Sequence, residues 1–295
     1  MKEVVVISGK GGTGKTSIVA ALAALAGRAV LADCDVDAAD LHLIMGPRVV
    51  ERHEFRCGHQ AIIRQADCIR CGACLVRCRF DAVLHETGVV GEETFAVDPT
   101  ACEGCGVCVW SCPVKAIDFV ERSGGEWYVS DTRFGPLVHA RLIPGGENSG
   151  KLVSTVREAA RSCAAKQKLE LILVDGPPGV GCSVIASISG ASLVLVVTEP
   201  TLSGEHDMMR VLELTRHFRI PTVVCVNKWD INPEQTEIIE RRAMKEGSRV
   251  AGRVRYDRAF TDAQIQGCSI AEMPPNPTGA DLRAIWKRLC SEIAH

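Results

Sequence analysis

The sequence predicts a doubly wound, mostly parallel α/β sheet interrupted by a small α+β insert. Three observations predict it. Short β-branched or apolar runs recur along the chain and alternate with stretches that suit helices, as in βαβ units. The first run, Val4-Val5-Val6-Ile7, leads into the glycine-rich Gly9-Lys10-Gly11-Gly12-Thr13-Gly14-Lys15-Thr16. From about Cys57 to Asp131 the composition turns cysteine-rich and loses long helical periodicity. The domain reading is one α/β domain in two parts, 1–56 and 133–295, with 57–132 inserted.

The glycine-rich stretch fits G-x-x-x-x-G-K-[ST], a phosphate-binding loop, in the strand–loop–helix context that motif requires. Ser17 to Ala26 is rich in Ala and Leu and reads as the helix that follows. Glycines let backbone N–H groups close around phosphates, and the helix N-terminus adds its dipole. Gly9 to Ser17 is therefore the candidate nucleotide site. Lys15 is placed to reach the β- and γ-phosphates, and the Thr16 hydroxyl to hold Mg²⁺.

Composition narrows the class. A chain of 295 residues can bury a full core and carry a second, smaller domain. A net charge of −2 and a 4% aromatic share argue against a nucleic-acid surface. No apolar run approaches the roughly 20 residues that cross a bilayer. The chain opens directly on a strand, so no leader is expected and the cytoplasm is the expected location. Fifteen cysteines in such a chain read as metal ligands rather than disulfides.

Ala29 to Ala32 reads as a second buried strand, ending in Asp33-Cys34-Asp35-Val36-Asp37-Ala38-Ala39-Asp40-Leu41. Carboxylates at a strand's C-terminal end lie where open α/β sheets bind ligands. Asp33, Asp35 and Asp37 are candidate site carboxylates, and the resemblance of this stretch to the second motif of a P-loop ATPase family implies that Asp35 is catalytic, with Asp33 and Asp37 in support.

The insert contains two matching runs, Cys68-x2-Cys71-x2-Cys74-x3-Cys78 and Cys102-x2-Cys105-x2-Cys108-x3-Cys112-Pro113. Zinc sites use pairs of C-x2-C rather than such a triplet. Both runs resemble the bacterial ferredoxin run, in which the fourth cysteine ligates the other cluster. That resemblance implies one [4Fe–4S] cluster on Cys68, Cys71, Cys74 and Cys112, and a second on Cys102, Cys105, Cys108 and Cys78. Gly72 and Gly106 fall where backbone would approach the clusters closely. The runs differ after the last cysteine: Pro113 follows Cys112, but Arg79 follows Cys78.

Beyond the insert, Leu137 to Ile143 reads as a strand, Pro144 to Gly150 as a loop and Lys151 to Lys166 as a helix. Leu169 to Val174 is a buried strand closing in Asp175-Gly176-Pro177-Pro178-Gly179, which reads as a Walker B end with Asp175 supporting Mg²⁺. Leu193–Val197 and Thr222–Val226 are further strands, with a helix near Gly204–His217 between them. The last strand enters Asn227-Lys228-Trp229-Asp230, an N-K-x-D nucleotide-base motif. Helices follow near Pro233–Glu246, Arg258–Gln266 and Gly279–Ala294. The terminal helix carries Leu282, Ile285, Trp286, Leu289 and Ile293 on one face, expected to pack on its own sheet rather than on a membrane. The cysteines outside the two runs read mostly as small core hydrophobes.

Lys10-Gly-Gly-Thr-Gly-Lys15-Thr16, the D-x-D stretch and the Walker B end together resemble the MinD/ParA/nitrogenase-iron-protein superfamily of deviant P-loop ATPases. The resemblance covers the whole chain, with a ferredoxin domain inserted. It implies ATP and Mg²⁺ as ligands, hydrolysis by a dimer with nucleotide at the interface, and Lys10 reaching the partner's nucleotide. It implies that Asp35 orients the attacking water and touches Mg²⁺, and that Asn227 contacts adenine, with Lys228 and Asp230 beside it. Cys182 stands seven residues after Asp175, where the nitrogenase iron protein has a cluster ligand, although a structural thiol is the plainer reading. The expected partners are a second copy or a paralogous ATPase, and a redox or metallocluster protein. The leading expectation is an ATP-gated switch passing electrons through two clusters. The alternatives are an iron–sulfur or metal-cofactor assembly ATPase, and a MinD/ParA-like positioning ATPase with a redox-sensing insert.

Overall fold

The computed structural model describes residues 1–88, 92–143 and 149–294. The chain begins β1 (Lys2–Ser8), α1 (Lys15–Ala26), β2 (Val30–Asp33), α2 (Leu41–Met45) and β3 (Arg48–Ile63). Then come α3 (Ala73–Arg77), β4 (Val83–Thr87), β5 (Glu93–Val97), α4 (Val107–Ser111), β6 (Ile117–Thr132) and β7 (Gly135–Leu142). The second half holds α5 (Ser149–Gln167), β8 (Leu171–Pro178), α6 (Cys182–Ile188), β9 (Leu193–Thr198), α7 (Leu202–His217), β10 (Thr222–Asn227), α8 (Pro233–Lys245), β11 (Arg249–Val254), α9 (Ala259–Ile265) and α10 (Pro277–Ala294). The chain divides into two compact units, Met1–His53 with Glu126–Arg141 and Ser149–His295, and Glu54–Gly125 with Leu142–Asn148.

The first unit is built on a sheet of order β11-β10-β9-β1-β8-β2-β7-β6-β3. The pairs from β11 through β7 whose register is defined are all parallel. The parallel strands are apolar throughout because helices cover both faces: Val4 to Ile7 and Leu193 to Val197 are essentially fully buried. Strand β1 sits between β8 and β9, so the loop after it opens at the centre of the sheet. Gly176 of β8 permits the close fit to β1, where a Cβ would lie 2.5 Å from the Ile7 side chain.

Most expected elements form within a few residues of their predicted ends. The strands β3 and β6 were not expected. Each runs 16 residues, and β6 turns into β7 through two residues, which allows only an antiparallel neighbour. Strands β4, β5 and β11 and the short helix α6 were also unread. The loop expected over 144–148 lies outside the described residues. The terminal helix α10 packs as expected, with Leu282, Ile285 and Leu289 fully buried in the main core. Among the described residues no helix is long and apolar enough to cross a membrane.

The second unit joins α3, α4 and the β4–β5 hairpin to parts of β3 and β6. One of its buried clusters is only Ala61, Ile63, Cys74, Val83, Phe95 and Ile117, and five more cysteines pack against it.

A buried ion network fastens β1 to α5. Arg157 Nε donates to Glu3 Oε1 (2.6 Å) and Arg161 Nη2 to Glu3 Oε2 (2.7 Å), while Arg157 Nη1 caps α6 at Ala186 O and Ser189 O. Removing one member leaves buried charge and carbonyls without partners. Arg157→Ala should therefore cost about 3 kcal/mol in urea unfolding. A loss below roughly 0.5 kcal/mol, as for a surface substitution, would contradict this account.

Candidate functional site

The glycine-rich loop joins β1 to α1 and wraps the helix N-terminus. Gly14 caps α1 in the left-handed region (φ 86°), and a Cβ there would stand 2.5 Å from Asn227 Nδ2. Any side chain at this position is strained and also displaces the asparagine. Gly11 and Gly12 have open space where a side chain would stand. They line a cleft of about 430 Å³ with Gly14, Lys15, Thr16 and Asp35. That size suits a nucleotide-sized ligand, about 300–1,000 Å³. Asp37, Ala38, Asp40, Pro177, Pro178 and Ser183 complete the wall. Sequence reasoning placed the Gly176 to Gly179 turn at the γ-phosphate and missed Asp40 and Ser183 as cleft residues, because only the fold brings them to the loop.

Two neighbouring strands deliver the carboxylates. Asp33 ends β2 in register with Asp175 of β8. Asp33 is wholly buried and accepts the N–H groups of Asp35 and Leu41, each at 3.2 Å. It thus ties down the turn that carries Asp35. Burial, then the Asp175 charge, raises its pKa well above the carboxylate range. Lys15 Nζ stands 3.6 Å from Asp35 Oδ2, both largely buried. Burial raises the Asp35 pKa, and Lys15 opposes the rise. Asp37 is exposed. Asp175 is buried and neither carboxylate oxygen has a hydrogen-bond partner. Burial pushes its pKa up to about 7 against the pull of Lys15. One ammonium therefore faces an excess of carboxylate, and a divalent cation with its bound waters would satisfy that excess.

Other predicted residues sit differently. Lys10 is exposed at the start of the loop, and its carbonyl accepts the Ser8 hydroxyl at 2.6 Å. Gly9 packs against Asp207 of α7, where a Cβ would lie 2.4 Å from the Asp207 Cβ. Ser17 accepts from Gln264 Nε2 (2.9 Å) and does not line the cleft. Asn227, which the resemblance assigns to adenine, also anchors the loop through its amide. Its Nδ2 donates to Thr13 O (2.7 Å), and its Oδ1 accepts from Lys228 N (3.0 Å). Lys228 pairs with Glu199, and Asp230 Oδ1 accepts from Tyr256 N at 2.7 Å. The N-K-x-D stretch here braces the loop and its surroundings.

The second unit repeats itself internally. Helices α3 and α4 each follow a left-handed glycine, Gly72 (φ 70°) and Gly106 (φ 74°), and each ends on an extended cysteine, Cys78 and Cys112. Asp81 and Lys115 take positive φ (51° and 53°) at matching places. His85 stacks on Phe95 and His59 on Phe119. One apolar-walled cavity is lined by Cys68, Cys71, Cys74 and Cys112, and the other by Cys78, Cys102, Cys105 and Cys108. None of the fifteen cysteines forms a disulfide. Burial raises the Cys74 and Cys108 pKa values, so a bound metal would have to drive off their protons. Among the described residues no three His, Cys, Asp or Glu side chains converge on one point as a single ion requires.

The remaining cysteines divide by burial. Cys34, Cys57 and Cys225 are buried, and burial pushes the Cys225 thiol up to about 12. Cys182 is exposed at the start of α6. Arg79 is exposed as well.

Comparison with known proteins bears on the nucleotide half. Residues 4–270 match the model of the CobQ/CobB/MinD/ParA nucleotide binding domain. An uncharacterized protein of Methanocaldococcus jannaschii is 36% identical over 78% of this chain and 79% of its own. The septum site-determining protein MinD of Bacillus subtilis is 23% identical over 98% of this chain and 89% of its own. Among solved structures, the Pyrococcus horikoshii septum site-determining protein MinD, complexed with Mg-ADP, superposes with a TM-score of 0.57. It is 17% identical and the match covers 98% of this chain and 95% of that one.

The Asn227 brace has a testable signature. Asn227→Ala leaves the Thr13 carbonyl unpaired and the loop less ordered. It should weaken ATP, GTP and inorganic triphosphate together, by about tenfold. Equilibrium binding with the three ligands checks it. A loss confined to ATP would instead assign Asn227 to the base.

Proposed function

Since the chain belongs to the CobQ/CobB/MinD/ParA nucleotide-binding family and is an ATPase of that kind, we propose that it is an ATP-driven dimer switch whose inserted unit carries two [4Fe–4S] clusters. The single observation that carries the cluster reading is the sorting of the cysteines. Each cavity collects three thiols of one run and the last thiol of the other. That is the ligand exchange implied by the resemblance to ferredoxins, and Cys₄ sets are what such clusters take. The small apolar cluster of the unit supports it too, since a fold this size needs staples and its cysteines form no disulfide. When bound, the clusters supply one-electron storage at each cavity.

In the ATPase half, the loop backbone and Lys15 bind the phosphates, and Thr16 and Asp175 hold Mg²⁺ with its waters. Asp35 leaves its pairing with Lys15 to orient the attacking water. Lys10, exposed and held only through its backbone, is free to reach the nucleotide of a second copy or of a paralogous ATPase. Nucleotide binding by MinD of P. horikoshii supports Mg-nucleotide as the ligand. The insert leaves the chain shortly after Asp35, so it is covalently placed to respond to that residue's state.

Two forms of the switch have support. The whole-length likeness to B. subtilis MinD favours a MinD/ParA-like ATPase whose insert senses redox state. The complete ligand sets keep electron delivery to a partner protein beside it, and argue against clusters carried as cargo, because cargo sites need labile ligation. Anaerobic protein should contain about eight irons per chain. In the sensing form, ATP hydrolysis changes when the clusters are reduced. In the delivery form, reduced clusters pass electrons to an acceptor only during turnover. Iron near four per chain, or zinc in its place, would overturn the cluster reading.

A variant separates the two lysines. Lys15→Ala should lose ATP binding, whereas Lys10→Ala should keep most binding and lose ATP-dependent dimerisation and turnover. Sedimentation with ATP and Mg²⁺ is the check. Wild-type dimerisation by Lys10→Ala would remove the role given to that residue.

A further inference from the structure

The two cysteine runs are alike in backbone and unlike in surface. Arg70, Arg77 and Arg79 of the first run are exposed, and none forms an ion pair or side-chain hydrogen bond among the described residues. Elsewhere in the unit Arg64 is tied to Asp67 and Asp118. In the second run the matching places hold Gly104, Ser111 and Pro113. The fold of a cysteine run therefore does not require these cations. Arg70 makes the point most sharply. It takes φ 59°, a left-handed backbone that costs any residue but glycine, where its counterpart Gly104 takes φ 62°. The protein keeps an arginine at a place suited to glycine, with no partner for its charge.

Exposed apolar residues are the chain neighbours of these cations. Ile69 is 58% exposed and Val76 is 85% exposed. Ile69 lines one cysteine cavity, and Phe80, next to Arg79, lines the other. Exposed apolar residues beside unpaired cations suit a small, transient encounter site. Unpaired guanidiniums complement carboxylates and steer an oppositely charged partner.

We propose that the exposed face of the first cysteine run, carrying Ile69, Val76, Arg70, Arg77 and Arg79, docks a small acidic one-electron carrier protein that exchanges electrons with the clusters. The inference rests on the two-cluster reading. The position chooses the partner class: only a partner bearing a redox centre gains from docking over the walls of the two cavities. An anionic membrane or a nucleic acid would use the charge without the cavities. One electron passes from the reduced carrier to an oxidised cluster, and the reverse transfer uses the same contact.

The test uses the anaerobic full-length protein and a small acidic [2Fe–2S] ferredoxin as the carrier, with a neutral small-molecule reductant as control. Two variants serve. Arg70→Glu/Arg77→Glu/Arg79→Glu reverses the charge, and Arg70→Gly/Arg77→Ser/Arg79→Pro copies the second run and keeps a backbone the unit already uses. At low salt both should lower the second-order rate of cluster reduction by ferredoxin by about tenfold or more, and should flatten its salt dependence. Iron content and the rate with the neutral reductant should not change. Unchanged ferredoxin rates in iron-loaded variants would overturn this proposal alone. So would arginine-dependent binding to phosphatidylserine vesicles or duplex DNA with no effect on the ferredoxin rate. A wild-type chain without iron would overturn this proposal and the cluster reading together.

Discussion

A single buried ammonium, Lys15, faces carboxylates delivered by β2 and β8, and the arrangement of the first unit depends on it. Asp33 and Asp175 lie side by side because their strands are in parallel register. Asp35 follows on the turn that Asp33 ties down and meets Lys15 at 3.6 Å. One positive charge cannot balance this group, so burial holds the Asp33, Asp35 and Asp175 pKa values high. The imbalance is what makes the site receptive. A divalent cation would add the missing charge.

The second unit meets a different constraint. Its buried residues include cysteines, and its internal repeat places four thiols around each of two cavities. The repeat also acts as an internal control. Where the runs agree, in Gly72 and Gly106 or in the extended backbone of Cys78 and Cys112, the cause is the geometry of the cavity. Where they differ, in Arg70, Arg77 and Arg79 against Gly104, Ser111 and Pro113, the cavity geometry is not the cause.

Legibility in the sequence followed locality. The phosphate loop, the D-x-D turn, the Walker B end and the cysteine runs are each written in a short stretch with fixed spacing, and the structure brings their residues together much as the spacing implies. The strands β3 and β6 were unreadable because their exposed faces carry Arg48, Glu51, His53 and Glu121 among few buried residues, which breaks the apolar signal. Asn227 shows what local spacing leaves out. Its amide donates to Thr13, 214 positions away, and no local pattern could reveal that bond. The Glu3–Arg157–Arg161 network was hidden for the same reason.

The central claim is that nucleotide state and cluster redox state belong to one switch. Linkage makes this measurable from either side, since ATP can alter the cluster potential only as far as reduction alters ATP affinity. An anaerobic redox titration followed by EPR, with Mg-ADP and then with a non-hydrolysable ATP analogue, tests it directly. The account predicts that at least one cluster wave moves by roughly tens of millivolts between the two nucleotides. Two waves at identical potentials in both conditions would contradict it.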